Sequence, residues 1–155
     1  MENKQIAITQ FGGVENLSIQ TRAIPEPKAG EVVVKVSFSG INPIDVKTRA
    51  GLGWAAAQNK DNLPWVPGYD ISGQIVTLGK QAERFTVGDN VAGFIGFPLQ
   101  GGGYSQYVCV PEAALSMVPD SVTLEAAAAL PLASQTAAQA LNKAEVKEGD
   151  RVLVL

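Results

Sequence analysis

Residues 31–38 read EVVVKVSF, the strongest strand signal in the chain. Val32, Val33, Val34 and Val36 are β-branched, the second half alternates, and Gly30 and Gly40 bound the run. Upstream, residues 5–10 alternate weakly before Gly12 and Gly13, and residues 17–24 form a second short strand candidate closed by Pro25, Glu26 and Pro27. Downstream, residues 71–78 read as a strand interrupted by Gly73, where a bulge or a close backbone approach is expected. Residues 87–94 (VGDNVAGF) read as a turn and a strand, and residues 104–110 alternate after three glycines and stop at Pro111. Between the strands, residues 42–50 read as a short helix. Residues 52–62, which are small, polar and glycine-containing, read as a loop.

The character then changes. Residues 123–130 (TLEAAAAL) predict a helix with Thr123 as N-cap and Glu125 in its first turn. Pro131 interrupts it, and residues 134–143 resume a helical pattern. After the turn at Gly149 and Asp150, residues 151–155 (RVLVL) are apolar without polar alternation, as in strands buried on both faces of a parallel sheet. The expected architecture is mostly β (α+β). A small barrel or sandwich spans residues 1–125, and residues 126–155 supply linking helices and the first strand of a truncated nucleotide-binding domain. The alternative is that the last strand pairs within the barrel.

Composition narrows the function. With 46% apolar and 17% charged residues, the chain of 155 residues is globular rather than disordered. A net charge of −3 argues against nucleic acid, whose phosphates require a basic face. No run approaches the ~18 apolar residues of a membrane span, and the polar start lacks a signal peptide's apolar stretch, so a cytoplasmic location is expected. Cys109 is the only cysteine and histidine is absent, which excludes an intrachain disulfide and Ser-His-Asp or Cys-His nucleophile systems. Zinc is not expected, because one thiolate and scattered carboxylates make neither a structural nor a catalytic site.

Five stretches in order resemble the medium-chain dehydrogenase/reductase superfamily: residues 39–45 (SGINPID), 66–73 (VPGYDISG, continuing to Gly79), 85–91 (FTVGDNV), 102–108 (GGYSQYV) and 147–152 (KEGDRV). Within it the chain is similar to the zinc-free quinone oxidoreductase and zeta-crystallin branch, which the Asn-Pro-x-Asp pattern at Asn42 to Asp45 typifies. Zinc-dependent members carry His-Glu where Tyr69 and Asp70 stand, and a cysteine ligand near Ser39 and Gly40. The resemblance implies a GroES-like, partly open β-barrel, followed by a Rossmann domain that binds NADPH in the cleft between the two. The phosphate-binding glycine loop would follow residues 152–155. Gly101, Gly102 and Gly103 do not replace it, since they precede a strand and open no helix; they read as a flexible hairpin loop.

Site residues follow from the same resemblance. Asn42 and Pro43 would lie beside the nicotinamide and the substrate carbonyl, with Asn42 as the candidate oxyanion donor. Read locally, Asn42 caps the helix that Pro43 opens, and Asp45 complements its dipole; the two readings are compatible. Asp45 has a cleft-facing role by analogy, but stands four residues from Arg49 and also suits an ion pair. Lys47 occupies the place of a tyrosine in several quinone reductases and reads as a solvated charge. Thr136 resembles a threonine that helps hold the nicotinamide, or else bonds back to its own helix. Tyr69 and Tyr104 read as packing or cleft residues, Trp65 as a cleft wall or outer loop anchor, and Cys109 as an inert small side chain.

The implied activity is hydride transfer from NADPH to a quinone or enone by a homodimeric full-length enzyme, this portion being inactive alone. Two other readings stay open: a non-enzymatic GroES-like interaction module, and a family member without redox activity.

Overall fold

The computed structural model describes residues 2–154. Strands β1 (Glu2–Ile8) and β2 (Leu17–Ala23) form an antiparallel hairpin with Ile6 opposite Ile19. Strands β3 (Glu31–Gly40), β4 (Asp70–Leu78), β5 (Asn90–Phe94), β6 (Tyr107–Pro111) and β7 (Leu115–Met117) form an antiparallel sheet in the order β6-β3-β4-β5-β7. The end strands β6 and β7 do not pair with each other, so the barrel is partly open. Bridges from Gln5 to Ser105 and from Ile8 to Trp65 tie the hairpin to the main sheet.

The apolar residues of β3 and β4 place the core. Val32 and Val34 face Ile71, Ile75, Val91, Val108, Val110 and Leu115 in one buried cluster, and Ile8, Trp65 and Tyr69 centre a second one. Gly73 sits on the inward face of β4 between register shifts of β3, and a Cβ there would collide with the Lys35 carbonyl oxygen. The expected irregularity is therefore a close approach of two backbones. Gly73→Ala should lower unfolding stability by about 1–3 kcal/mol, as overpacking does. A urea midpoint equal to wild type would contradict that.

Among the described residues four α-helices complete the fold: α1 (Pro43–Arg49), α2 (Gly53–Asn59), α3 (Leu124–Ala128) and α4 (Pro131–Lys143). Helix α2 corrects the loop expected over residues 52–62. Gly51 and Gly53 turn the chain at φ 80° and 81°, and Ala55 and Ala56 are then buried. Asn59 closes the helix by donating from Nδ2 to the carbonyls of Ala55 and Pro98. Thr123 caps α3 as expected, its hydroxyl accepting from the Ala126 N–H. The expected boundary at 125/126 falls inside α3, which packs on β3, β4 and β5. Pro131 opens α4 at its first position instead of only interrupting a helix.

Residues 151–154 form no strand. No described strand pairs with them, and Val152, Leu153 and Val154 are 52%, 81% and 87% exposed. This overturns the alternative in which they pair inside the barrel; the expected strand has no ladder here. Gly101, Gly102 and Gly103 are buried, not a flexible loop: the N–H groups of Gly102 and Gly103 donate to the carbonyls of Val66 and Gly68.

Candidate active site

The site grows from the place where β3 ends. Gly40 pairs with Asp70 at the start of β4, and a Cβ on Gly40 would press on the Ala128 carbonyl oxygen at 2.6 Å and on Asp70 Cβ at 3.0 Å. Without a side chain at position 40, the end of β3, the start of β4 and the end of α3 meet. Ser39 fixes the corner by donating its hydroxyl to the Asp70 carbonyl at 2.9 Å. The chain then turns through exposed Ile41 into Asn42, whose extended backbone (φ −113°, ψ 157°) suits a residue before proline.

Asn42 occupies the N-cap position of α1 and forms a capping box with Asp45, its side-chain oxygen turned to the Asp45 N–H without a hydrogen bond of full geometry. Its Nδ2 donates to Asp70 Oδ2 at 2.9 Å. Asp45 completes the box: its Oδ2 accepts from the Asn42 N–H at 2.8 Å while its Oδ1 accepts from the Gly68 N–H at 3.2 Å. Asp45 is thus buried and spent on backbone, which corrects the expected pairing with Arg49. It also borders a small recess of about 140 Å³ shared with Ile41, Arg49 and Tyr104.

Asp70 is the residue that sequence reasoning passed over. It is 1% exposed, and its second oxygen, Oδ1, accepts from the Leu132 N–H at 3.0 Å. Helix α4 has no side-chain cap of its own, so Asp70 supplies one from β4 at the end where a negative charge is favoured. One turn on, the Thr136 hydroxyl donates to the Leu132 carbonyl at 2.8 Å. Asn42, Asp70, Leu132 and Thr136 therefore form one connected chain across two helices. Thr136 is exposed, its hydroxyl bonded back to its own helix and its oxygen still able to accept. Pro43 is exposed beside Asn42. In the sequence Asp70 figured only as part of residues 66–73, where zinc-dependent members carry His-Glu, with no role of its own.

The remaining candidates separate cleanly. Trp65 is fully buried in the second core cluster, so it is neither a cleft wall nor an outer loop anchor. Tyr69 is fully buried and packs against Trp65, Phe94 and Phe97. Burial, with a smaller push from Asp45, raises its phenol to about 12 against the opposing effect of the nearby Thr48 hydroxyl. Tyr104 is half-buried, and burial and then Asp45 raise its phenol well above the usual range. Burial first, then Glu31, pushes the Cys109 thiol up to about 11, so it offers no thiolate at neutral pH. Lys47 is exposed.

Burial also raises the carboxyls of Asp45 and Asp70 above 3.8. The backbone N–H donors oppose the shift at Asp45; the Asn42 amide and the Leu132 N–H oppose it at Asp70. Each group holds its proton more tightly folded than unfolded, so its stabilising contribution is full below 3.8 and falls as pH rises through the raised folded value. Asp70→Asn should therefore gain stability relative to wild type as pH climbs through that window. Urea midpoints at stepped pH measure this, and a difference growing in favour of wild type would reverse the sign.

The donor set does not fit zinc. There is no histidine, Cys109 pairs with Val33, and Asp70 pairs with Gly40, about 20 Å further along β3 at ~3.3 Å per residue. Both Asp70 oxygens already accept N–H groups. Asn42 keeps a second Nδ2 hydrogen, and Pro43 and Thr136 are exposed on elements joined through Asp70.

Comparison with known proteins gives the same direction. The family described as alcohol dehydrogenase GroES-like domain matches residues 28–120. The 2-methylene-furan-3-one reductase of Solanum lycopersicum is 36% identical over 160 residues, which cover 99% of this chain and 40% of that protein. The chloroplastic NADPH-dependent alkenal/one oxidoreductase of Arabidopsis thaliana is 34% identical over 99% of this chain and 41% of its own length. The structure of the quinone oxidoreductase from Coxiella burnetii superposes with a TM-score of 0.91 at 40% identity, over 97% of this chain and 47% of that one. The chain thus spans less than half the length of these relatives.

Proposed function

The chain belongs to the alcohol dehydrogenase GroES-like domain family, and from that premise we propose that it is the N-terminal, substrate-side part of an NADPH-dependent reductase of quinones or enones. The observation that carries this reading is the hydrogen-bonded chain Asn42–Asp70–Leu132, which holds the Asn42 amide, with one Nδ2 hydrogen left over, beside the start of α4. The similarity to an NADPH-dependent alkenal/one oxidoreductase and to a quinone oxidoreductase supports the cofactor and the substrate class.

When bound, the nicotinamide supplies the hydride. The residues of this chain do the rest. Asn42 donates from Nδ2 to the substrate carbonyl oxygen as negative charge builds there, the task a metal would perform in a zinc-dependent relative. Pro43, rigid at the first position of α1, and Thr136, through its free lone pairs, flank the nicotinamide. The buried end of β4 walls the hydride step from water. Residues 126–155 lead into the nucleotide-binding half. No helix among the described residues is long and apolar enough to cross a membrane, and the acidic charge suits a small-molecule partner better than a nucleic acid, which fits a cytoplasmic enzyme.

The test is the full-length protein assayed with NADPH against a panel of quinones and enones, with and without a strong chelator. Cofactor consumption that survives chelation supports the reading. No consumption with any acceptor, or loss on chelation, sinks it.

A further inference from the structure

We propose that Asp70 is a positioning residue: its carboxylate sets the orientation of the Asn42 amide and docks the start of α4 at the same point. The proposal rests on the reductase reading, yet its first half is a statement about this chain alone.

The geometry leaves little choice. An ionised carboxylate only accepts hydrogen bonds, so Asn42 must turn Nδ2 toward Asp70 Oδ2. Asp45 holds the Asn42 N–H at 2.8 Å, fixing the backbone from which the amide projects. With backbone and amide plane both fixed, the remaining Nδ2 hydrogen has one direction. Asp70 Oδ1 is meanwhile taken by the Leu132 N–H, so both oxygens are committed to elements on opposite sides of the site. Gly40, where a Cβ would meet Asp70 Cβ at 3.0 Å and Oδ2 at 3.5 Å, leaves the space that the carboxylate at position 70 uses.

A purely structural account of Asp70 explains less. Burial raises its carboxyl, so its charge does not add to the stability of the fold at neutral pH. A neutral isostere would meet the packing demand equally well. It would not meet the hydrogen-bond demand, because an asparagine has one acceptor oxygen for two N–H groups. One of them would then face an NH₂, and the Asn42 amide, the freer of the two, would turn over.

Asp70→Asn decides the matter on two levels. In side-chain amide NMR of the 155-residue chain, the two Asn42 Nδ2 hydrogens should be well separated in wild type, one bonded and one not. The separation should collapse in the variant while the thermal midpoint holds. An unchanged Asn42 pair overturns the proposal whether or not the full-length protein is a reductase. In the full-length enzyme, Asp70→Asn should lower kcat about 10- to 100-fold with little change in KM for NADPH, somewhat less than losing the donor itself. Because Asp70 acts through Asn42, adding Asp70→Asn to Asn42→Ala should cost less than about twofold more. Multiplying effects in the double variant would show that Asp70 works independently, and would overturn the proposal. A full-length protein with no reductase activity defeats the functional reading instead, leaving the NMR result to judge Asp70.

Discussion

Mixed with NADPH and a quinone, this 155-residue chain by itself should give no rate above the blank and no tight cofactor binding. A dinucleotide is held mainly by its pyrophosphate, which needs backbone N–H groups of a glycine-rich turn at a helix N-terminus. The chain has one glycine cluster, Gly101 to Gly103, and its N–H groups at 102 and 103 are bonded to Val66 and Gly68 while the segment leads toward β6. The start of α4, the longest helix, is occupied by the Asp70 carboxylate, which would repel a phosphate. Calorimetric titration with NADPH measures the binding, and cofactor oxidation measures the rate. Micromolar binding or clear turnover by this chain would discard the division of labour proposed here.

Much of the fold was legible because it depends on local pattern. The β-branched run at 31–38, the interruption at Gly73 and the Thr123 cap each express chemistry confined to a few neighbouring residues. Helix α2 was not legible, because its strong helix formers Ala55, Ala56, Ala57 and Gln58 make a run of only seven residues that opens on Gly53, too short to stand alone. What stabilises it is burial of Ala55 and Ala56, which only tertiary packing provides. Strand β7 is three residues long, too short for a period to register. The run at 151–154 gave a clear strand signal that the described residues do not satisfy, since a ladder needs a partner.

The site divides in the same way. Asn42, Pro43 and Asp45 were visible as a unit through their spacing. Asp70 was not, because its importance arises from pairing Gly40 with Asp70 and from contacts to Asn42 and Leu132, 28 and 62 residues away. Sequence reading gave Asn42 two compatible roles, helix cap and site residue. The structure keeps it in a capping box with Asp45 and turns its Nδ2 to Asp70, a partner that no local pattern announces.

Asn42→Ala should then be the most damaging single substitution for activity. In the full-length enzyme the loss of one preorganised donor to a developing oxyanion is expected to lower kcat by about 10²–10³-fold, or roughly 3–4 kcal/mol of transition-state stabilisation. KM for NADPH should change little, because the amide contacts the carbonyl only as charge builds. The fold should survive, since Asp45 still caps α1 and Asp70 still holds Leu132. A second signature follows from electrostatics. The Asn42 amide is what most lowers the Asp70 carboxyl against its burial, so removing it should push Asp70 higher still, visible in carboxyl NMR as a later titration. Asn42→Asp sharpens the contrast. It keeps the size but places a carboxylate against Asp70, so one of the two must stay protonated and the donor is lost or made pH-dependent. If Asn42→Ala raised KM and left kcat intact, Asn42 would be a binding contact, and the oxyanion role would have to pass to solvent or to another donor.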